Sequence, residues 1–330
     1  MALMILRHIP IFCCPVQPED EFYYRYVDLP MLQFIVCTYF FYSGYGIMCS
    51  LQTKGKLYLR QLLTKRFAGL YIRFGFAAAI ACMFTALITG DFSAQALKFL
   101  HTMVGCGGWW FIVMSLLLYL LTWFSFMVVS SLPECRRSFA AIAILFILVA
   151  ITVSLMYPYK AYWWVDTEWC FPAGMLYCTL RHKIEDMLGK SRLPCLLCGG
   201  TLILASVWAL NNFHLFAKGV DRLTGLHANG LCQIHYTSAM ACVFAMGVTW
   251  LFAAITWERI PAPLMWMGRN AFYLFLFQYV PMHYFRLIGL PASHPRLSIL
   301  LSFVSAIALA GLMKWIFAFV YTHLSTARQI

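Results

Sequence analysis

The segment from Tyr39 to Arg66, YFFYSGYGIMCSLQTKGKLYLRQLLTKR, sets how the rest of the chain is interpreted. It begins as the end of an apolar helix, passes through Ser43-Gly44-Tyr45-Gly46 and becomes a polar loop with basic but no acidic residues (Lys54, Lys56, Arg60, Lys65, Arg66). Loops rich in Lys and Arg remain on the cytoplasmic side of a membrane helix. The segment therefore predicts a membrane span that ends in a basic cytoplasmic loop. Such a loop is also a candidate site for a polyanionic ligand.

The composition predicts an all-α, polytopic transmembrane helix bundle. Hydrophobic residues make up 62% of the chain and charged residues 11%, whereas soluble domains carry about 25% charged residues. Several apolar runs approach the roughly 20 residues that cross a bilayer as a helix, and they are too continuous for the strands of a membrane barrel. Topogenic loops and anionic lipid account for the net charge of +12. We therefore expect membrane lipid, not nucleic acid, as a partner.

About ten spans are predicted, and no soluble domain, so residues 1–330 are expected to form a single integral-membrane domain. The first apolar run is too short to cross a bilayer unaided, which suggests a half-helix or a truncated first span. The predicted spans cover about 1–13, 29–50, 66–89, 108–131, 138–157, 162–180, 195–210, 236–256, 264–290 and 297–322.

The distribution of Lys and Arg predicts the orientation of these spans. With the N-terminus in the cytoplasm, 14 of the 24 basic residues fall in inner segments, seven in outer segments and three inside spans. This two-to-one bias follows the positive-inside rule. It predicts a multi-pass protein of the cell membrane with both termini in the cytoplasm.

The cysteines are not expected to bind a metal. Most of the 13 lie in apolar runs, where a free cysteine behaves as a small hydrophobic residue. Cys195 and Cys198 have the spacing of a redox motif, but they open an apolar helix and have no further Cys or His nearby. No metal site is predicted.

Three polar residues inside predicted spans are candidates for chemistry, because such residues in a membrane usually face the bundle interior or a wet cavity. His8 has the intrinsic pKa of a general base, or it is simply solvated at the outer interface. Arg73 lies about two turns deeper than Arg66 and needs a partner or a cavity. Gln278 lies in apolar surroundings and is a cavity candidate.

Further candidates stand at the ends of spans. Ser43 and Tyr45 line a helix whose glycines permit close packing or a close ligand. Trp110 belongs to a pair of tryptophans at the end of a predicted span. The enrichment of aromatic residues at the membrane–water interface is enough to explain this position. Asp166 and Glu168 begin a predicted span that contains Pro172 and Gly174, which suggests a broken helix at the outer mouth. The two carboxylates either cap this helix or hold a sugar hydroxyl.

In this order along the chain, these segments resemble acyltransferase family 3, a family of integral-membrane enzymes. The likeness extends over nearly the whole length and is carried by six segments, none of them specific alone: ILRHIP at 5–10, FFYSGYG at 40–46, LLTKRFAGLYIRF at 62–74, WWFIVMSLLLYLL at 109–121, FPAGMLY at 171–177 and MGRNAFYLFLFQ at 267–278.

The resemblance implies an acyltransferase that moves an acyl group, acetyl in particular, from acyl-CoA to a hydroxyl of a carbohydrate or lipid-linked glycan. Acyl-CoA is then a donor substrate, and no bound cofactor is expected. By position, His8 corresponds to the essential first-span histidine, Ser43 and Tyr45 to the family's SGY segment, and Arg66 to the arginine region for the CoA phosphates. With Arg60 and Lys65, Arg66 forms the expected donor site.

The chain departs from the family pattern at three places. The basic residue expected about eleven positions before His8 would precede Met1. The second arginine of the Arg-x-x-Arg pair is replaced by Gly69, and the histidine that often ends the last signature is replaced by Gln278. A carrier or exporter for a small polar solute or glycan has the same interior charges and aromatic mouth, and is the alternative function.

Overall fold

We describe a computed structural model of the chain. The description covers residues 29–105, 109–188, 192–224, 230–255 and 262–326. Helices account for nearly all of this part of the chain, and it contains no β-strand. The prediction of an all-α fold is confirmed. His8 lies outside the described residues.

The helices are numbered in chain order. Two short irregular turns accompany them, a π-helical turn at Leu62–Phe67 and a 3-10 turn at Tyr162–Trp164. The helices are α1 (Leu29–Gln61), α2 (Ala68–Thr89), α3 (Phe92–Met103), α4 (Trp110–Val128), α5 (Glu134–Met156), α6 (Cys170–Leu188), α7 (Arg192–Asn211), α8 (Phe213–Thr224), α9 (Gly230–Ala253), α10 (Ala262–Arg269), α11 (Ala271–Phe277), α12 (Tyr279–Leu287), α13 (Leu290–Ser293) and α14 (Pro295–Thr326).

Six helical segments in the described ranges are long and apolar enough to cross a membrane: Val36–Thr89, Trp110–Val128, Arg136–Met156, Arg192–Asn211, Gly230–Ala253 and Arg296–Phe319. The first is long enough to hold two of the predicted spans. The predicted span at 264–290 is instead divided into α10, α11 and α12. A helical membrane protein is confirmed, whereas the count of ten spans and the orientation of the termini stay predictions.

The predicted polar loop after residue 50 is helical, and this part of the prediction was wrong. Helix α1 continues to Gln61 and changes direction at Gly55, whose φ of 54° and ψ of −137° lie outside the helical region. Glycine reaches this conformation without a steric penalty because it has no Cβ. The basic side chains therefore project from a kinked helix rather than from a loop.

The chain separates into two compact units. Among described residues, the first unit contains 72–105, 109 and 262–326. The second contains 29–71, 110–188, 192–224 and 230–255. The prediction of one domain over the full length stays a prediction.

The second unit is organised around the contact between α1 and α6. The backbones touch at two glycines: a Cβ on Gly44 would overlap the Phe171 carbonyl, and a Cβ on Gly174 would overlap that of Phe41. Gly174 was predicted to break a helix; instead it lies inside α6, where it permits close packing.

In the first unit, α14 packs along α11 and α12. Met267, Leu274, Met282 and Ala310 form the buried apolar core of this unit. Its helices place Arg73 on α2 and Gln278 between α11 and α12.

Candidate functional site

The predicted donor-site cations lie at one end of the second unit, and all three are exposed. Arg60 lines a cavity of about 370 Å³ between α1, α4 and the start of α5. Lys65 and Arg66 belong to the π-helical turn and do not line this cavity. The Nε of Arg66 donates a hydrogen bond to the Tyr58 hydroxyl at 3.2 Å. Arg60 therefore lines the cavity and Arg66 does not, although both side chains are exposed and can reach a ligand.

Ser43 is connected to the cationic end through a residue that the sequence analysis missed. The hydroxyls of Ser43 and Tyr119 are 3.2 Å apart, and α4, which carries Tyr119, packs against the π-helical turn that carries Arg66. A polar path thus leads from an exposed guanidinium to the seam between α1 and α4. The WWFIVMSLLLYLL segment contains Tyr119, but nothing in its pattern distinguished this tyrosine from an aromatic residue that packs against lipid.

Tyr45 belongs to a second polar contact on the same helix. Its hydroxyl accepts a hydrogen bond from Nη1 of Arg181, on α6, at 3.2 Å. One turn further along, the sulfur atoms of Cys49 and Cys178 are 3.0 Å apart. These contacts link α1 to α6, so the structure gives Tyr45 a role in helix packing. The hydrogen bond of Tyr45 is made with α6, whereas that of Ser43 is made with Tyr119 on α4.

Trp110 stands at the first residue of α4 and is half-buried. Its ring centroid lies 6.4 Å from that of Phe40 and 6.1 Å from that of Phe111. The aromatic contacts hold the start of α4 against α1. This position fits packing, and it leaves the predicted role of Trp110 as a cavity residue untested.

Asp166 and Glu168 precede α6 and are buried, with exposures of 2% and 0%. They do not stand at an open mouth, and neither Pro172 nor Gly174 breaks the helix that follows. Burial raises the pKa of Asp166 well above its usual range. Burial first and the charge of Asp166 second raise the pKa of Glu168. The uncharged forms are therefore favoured, and a protonated carboxyl group can donate a hydrogen bond.

Further buried polar groups lie beside these two carboxyl groups in the chain and on α9, which contacts Trp169, and we refer to them together as the buried cluster. The sequence analysis missed these further members. The ring of Trp169 lies against that of His235 of α9, with centroids 5.2 Å apart and ring planes tilted by 35°, and Ser238 lies one turn further along α9. One side-chain atom of each of the following has no hydrogen-bond partner among the described residues: Asp166, Thr167, Glu168, Trp169, His235 and Ser238. Buried polar groups normally have partners, so this cluster is suited to ligand hydroxyls or ordered water.

The remaining two candidates lie in the first unit. The guanidinium of Arg73 lies 5.7 Å from the ring centroid of Phe272, 5.9 Å from that of Tyr273 and 6.0 Å from that of Phe317. The partner that Arg73 needed is thus a set of aromatic rings. Gln278 is fully buried, and its Nε2 donates to the Phe275 carbonyl at 3.3 Å. Its Oε1 has no partner in the described part of the chain.

The family model of an acyltransferase domain matches residues 4–315, which is nearly the entire chain. The chain belongs to acyltransferase family 3. It is a membrane enzyme that transfers an acyl group other than an aminoacyl group. Comparisons with curated proteins and with solved structures gave no match.

The family match decides between the two functions that the sequence left open. A carrier does not need the acyltransferase segments, and the match includes every segment that carried the resemblance. It also extends over His8, which it therefore includes in the enzyme domain. The match does not identify the donor, the acyl group or the acceptor.

Proposed function

We propose that this acyltransferase moves an acetyl group from acetyl-CoA to a hydroxyl of a carbohydrate or lipid-linked glycan. The observation that supports the donor is the polar path from the exposed Arg66, across the contact of the π-helical turn with α4, to the hydroxyls of Ser43 and Tyr119. Cations that can pair with phosphates stand at the surface end of this path. Its other end is a partly buried pair of hydroxyls, which suits a thioester carbonyl.

In the proposed reaction, the phosphates of acyl-CoA bind among Arg60, Lys65 and Arg66, and the thioester reaches towards Ser43. His8, whose role is implied by the family likeness, takes the proton of the acceptor hydroxyl. The hydroxyl oxygen attacks the thioester carbonyl, so that a C–O bond forms and the C–S bond breaks. The proton then passes from His8 to the leaving thiolate, and free CoA is released.

The acceptor is proposed to bind at the buried cluster around Asp166 and Glu168. The cluster offers donors and acceptors together, since the Trp169 indole N–H can only donate whereas a carboxyl oxygen can accept. Sugar hydroxyls need both kinds of partner. The carboxyl groups are fully enclosed, so acceptor entry requires the segment before α6 to open.

The test is release of free CoA from acetyl-CoA by the purified protein in lipid, with a panel of sugars as acceptors. The expected result is release that depends on a sugar and is lost in the His8→Ala variant. Tyr119→Phe should reduce the rate about tenfold, since one hydrogen bond of a positioned hydroxyl contributes about 1.4 kcal/mol or less. Arg136→Ala serves as the control because Arg136 is exposed at the start of α5.

Full activity of His8→Ala with normal protein yield would end the proposed mechanism. Transport of the sugar without consumption of the thioester would replace it with the carrier function.

A further inference from the structure

A cavity of about 370 Å³ lies at the cationic end of the second unit. Its walls come from α1 near the Gly55 kink, from the last turns of α4, and from the start of α5. The volume is within the range of small-molecule sites, which is about 300–1,000 Å³. Only part of a ligand as large as CoA fits such a space.

The charged residues on its walls are all basic. Lys56 and Arg60 come from α1, and Arg137 comes from α5, about 80 positions later in the chain; among the described side chains no acidic one lines the cavity. Three cations from two separate helices thus converge on one space, and no described residue on its walls carries the opposite charge. This arrangement suits a ligand with several negative charges.

Arg137 is held in place before any ligand arrives. Its Nη2 and Nε donate to the Leu132 carbonyl at 2.8 and 3.2 Å. A guanidinium has five N–H groups, so three remain for a ligand. A cation whose orientation is already set loses less conformational entropy when it binds phosphate.

Apolar and aromatic residues also line the cavity. Trp123 and Phe126 of α4 and Leu51 of α1 line it. Flat aromatic rings stack on nucleobases, whereas a simple phosphate or sulfate ion makes no favourable contact with them. Cations for phosphates and an indole for a base are the two parts of a nucleotide site.

The cavity and the proposed donor path share helix α4. Trp123 follows Tyr119 by four positions on α4, so the two side chains lie on one face, separated by about one helical turn of 5.4 Å. A nucleotide in the cavity therefore has its attached arm directed along the seam that contains the Ser43–Tyr119 pair.

We infer that this cavity is the subsite for the nucleotide end of acyl-CoA, with its 3′-phosphate on Lys56 and Arg137, its diphosphate towards Arg60 and its adenine on Trp123. The inference rests on the proposed acyl-CoA donor. It assigns donor binding to Arg137 and Trp123, which the donor site of Arg60, Lys65 and Arg66 does not include.

The experiment compares two donors that differ only in the nucleotide. Acetyl-CoA carries it, and acetyl-pantetheine does not. Arg137→Ala should raise the KM for acetyl-CoA about tenfold, which corresponds to 1.4 kcal/mol, and leave the KM for acetyl-pantetheine unchanged. Trp123→Ala should act in the same way, while Trp123→Phe, which keeps an aromatic ring, should remain close to the native enzyme.

Arg136→Ala is the matched control, because it removes the neighbouring arginine, which does not line the cavity. Equal effects of Arg137→Ala and Arg136→Ala would overturn the inference, since only bulk charge would then matter. An equal rise in KM for both donors would also overturn it, because the residue would then act on the acyl arm.

Direct binding of adenosine 3′,5′-bisphosphate separates this inference from the proposed function. Binding that is lost in Arg137→Ala supports the cavity even if no thioester is consumed, in which case the proposed function alone fails. Absence of binding to the native protein overturns the cavity assignment. Displacement of the nucleotide by phosphatidylglycerol but not by phosphatidylcholine in the bilayer would assign the cavity to a lipid headgroup instead.

Discussion

Replacing Gly44 by alanine tests the contact that joins α1 to α6. The new Cβ would overlap the carbonyl oxygen of Phe171, and it would stand 2.9 Å from the carbonyl carbon and 3.3 Å from Cγ of Met175. Real Cβ atoms essentially never approach another heavy atom within 3.0 Å, and ordinary contact begins at 3.4 Å. The carbonyl carbon must therefore retreat by at least the difference between 2.9 and 3.4 Å, which is 0.5 Å, and the oxygen must move further.

The cost follows from what has to move. The obstacle is backbone of α6, so a change of rotamer cannot relieve it and the helices must separate. Overpacking of this kind costs about 1–3 kcal/mol. Alanine is favoured over glycine in a helix interior by about 0.5–1 kcal/mol, which offsets part of the cost.

Gly46→Ala is the control, because it makes the same chemical change two positions away. A Cβ at Gly46 would meet nothing within 4 Å, so this variant keeps the helix-propensity gain and has no clash. The free energies of unfolding of the two variants should differ by about 1–3 kcal/mol, with Gly44→Ala the less stable. The measurement is the thermal midpoint of both purified variants in one detergent, followed by size-exclusion chromatography. Equal midpoints would refute the close backbone contact between α1 and α6 at Gly44.

Three further predictions concern other parts of the molecule. Gly55→Ala should cost about 1–3 kcal/mol of stability because its positive φ is strained for any residue with a Cβ; a thermal midpoint equal to that of Gly46→Ala would contradict the kink. Burial raises the pKa of Glu168, so the stabilising effect of its neutral form is complete below the unfolded pKa and is lost as pH rises through the folded one. Glu168→Gln should therefore gain stability relative to the native protein as pH rises from the unfolded pKa of Glu168 towards its raised folded pKa. A difference in thermal midpoint that stays constant with pH would refute this. Hydrogen bonds from the Ala94 N–H and then from Ser93 lower the pKa of Asp91, the N-cap of α3. The contribution of Asp91 to stability is therefore present above its unfolded pKa and is lost as pH falls through the folded one. Asp91→Ala should speed hydrogen exchange at the Ala94 amide, whereas unchanged exchange would show that the cap does not hold the helix.

Local patterns were sufficient for the class of protein and for most helix positions. The spans predicted at about 108–131 and 138–157 correspond to the long apolar helices Trp110–Val128 and Arg136–Met156. An apolar run of about 20 residues has few alternatives to a membrane helix, because lipid cannot satisfy the backbone. The family was also readable from the sequence, since its segments occur in order along nearly the whole chain.

Local patterns failed where a break or a loop was predicted from residue type alone. Pro172 lies in the first turn of α6, where proline is tolerated because its missing N–H would have no helical partner. Gly174 serves the contact with Phe41. The cationic stretch after residue 50 continues as helix to Gln61, because Lys, Leu and Arg are good helix formers and only Gly55 interrupts them.

The sequence by itself determined that the chain is a helical membrane acyltransferase, because hydropathy and ordered motifs are properties of neighbouring residues. Only the tertiary structure decided which polar groups meet. It paired Ser43 with Tyr119 across 76 positions, placed Arg73 on aromatic rings, buried Asp166 and Glu168, and brought Arg137 to the cavity of Arg60. These pairings depend on how separate helices pack, and packing between distant segments leaves no periodic trace in a single sequence.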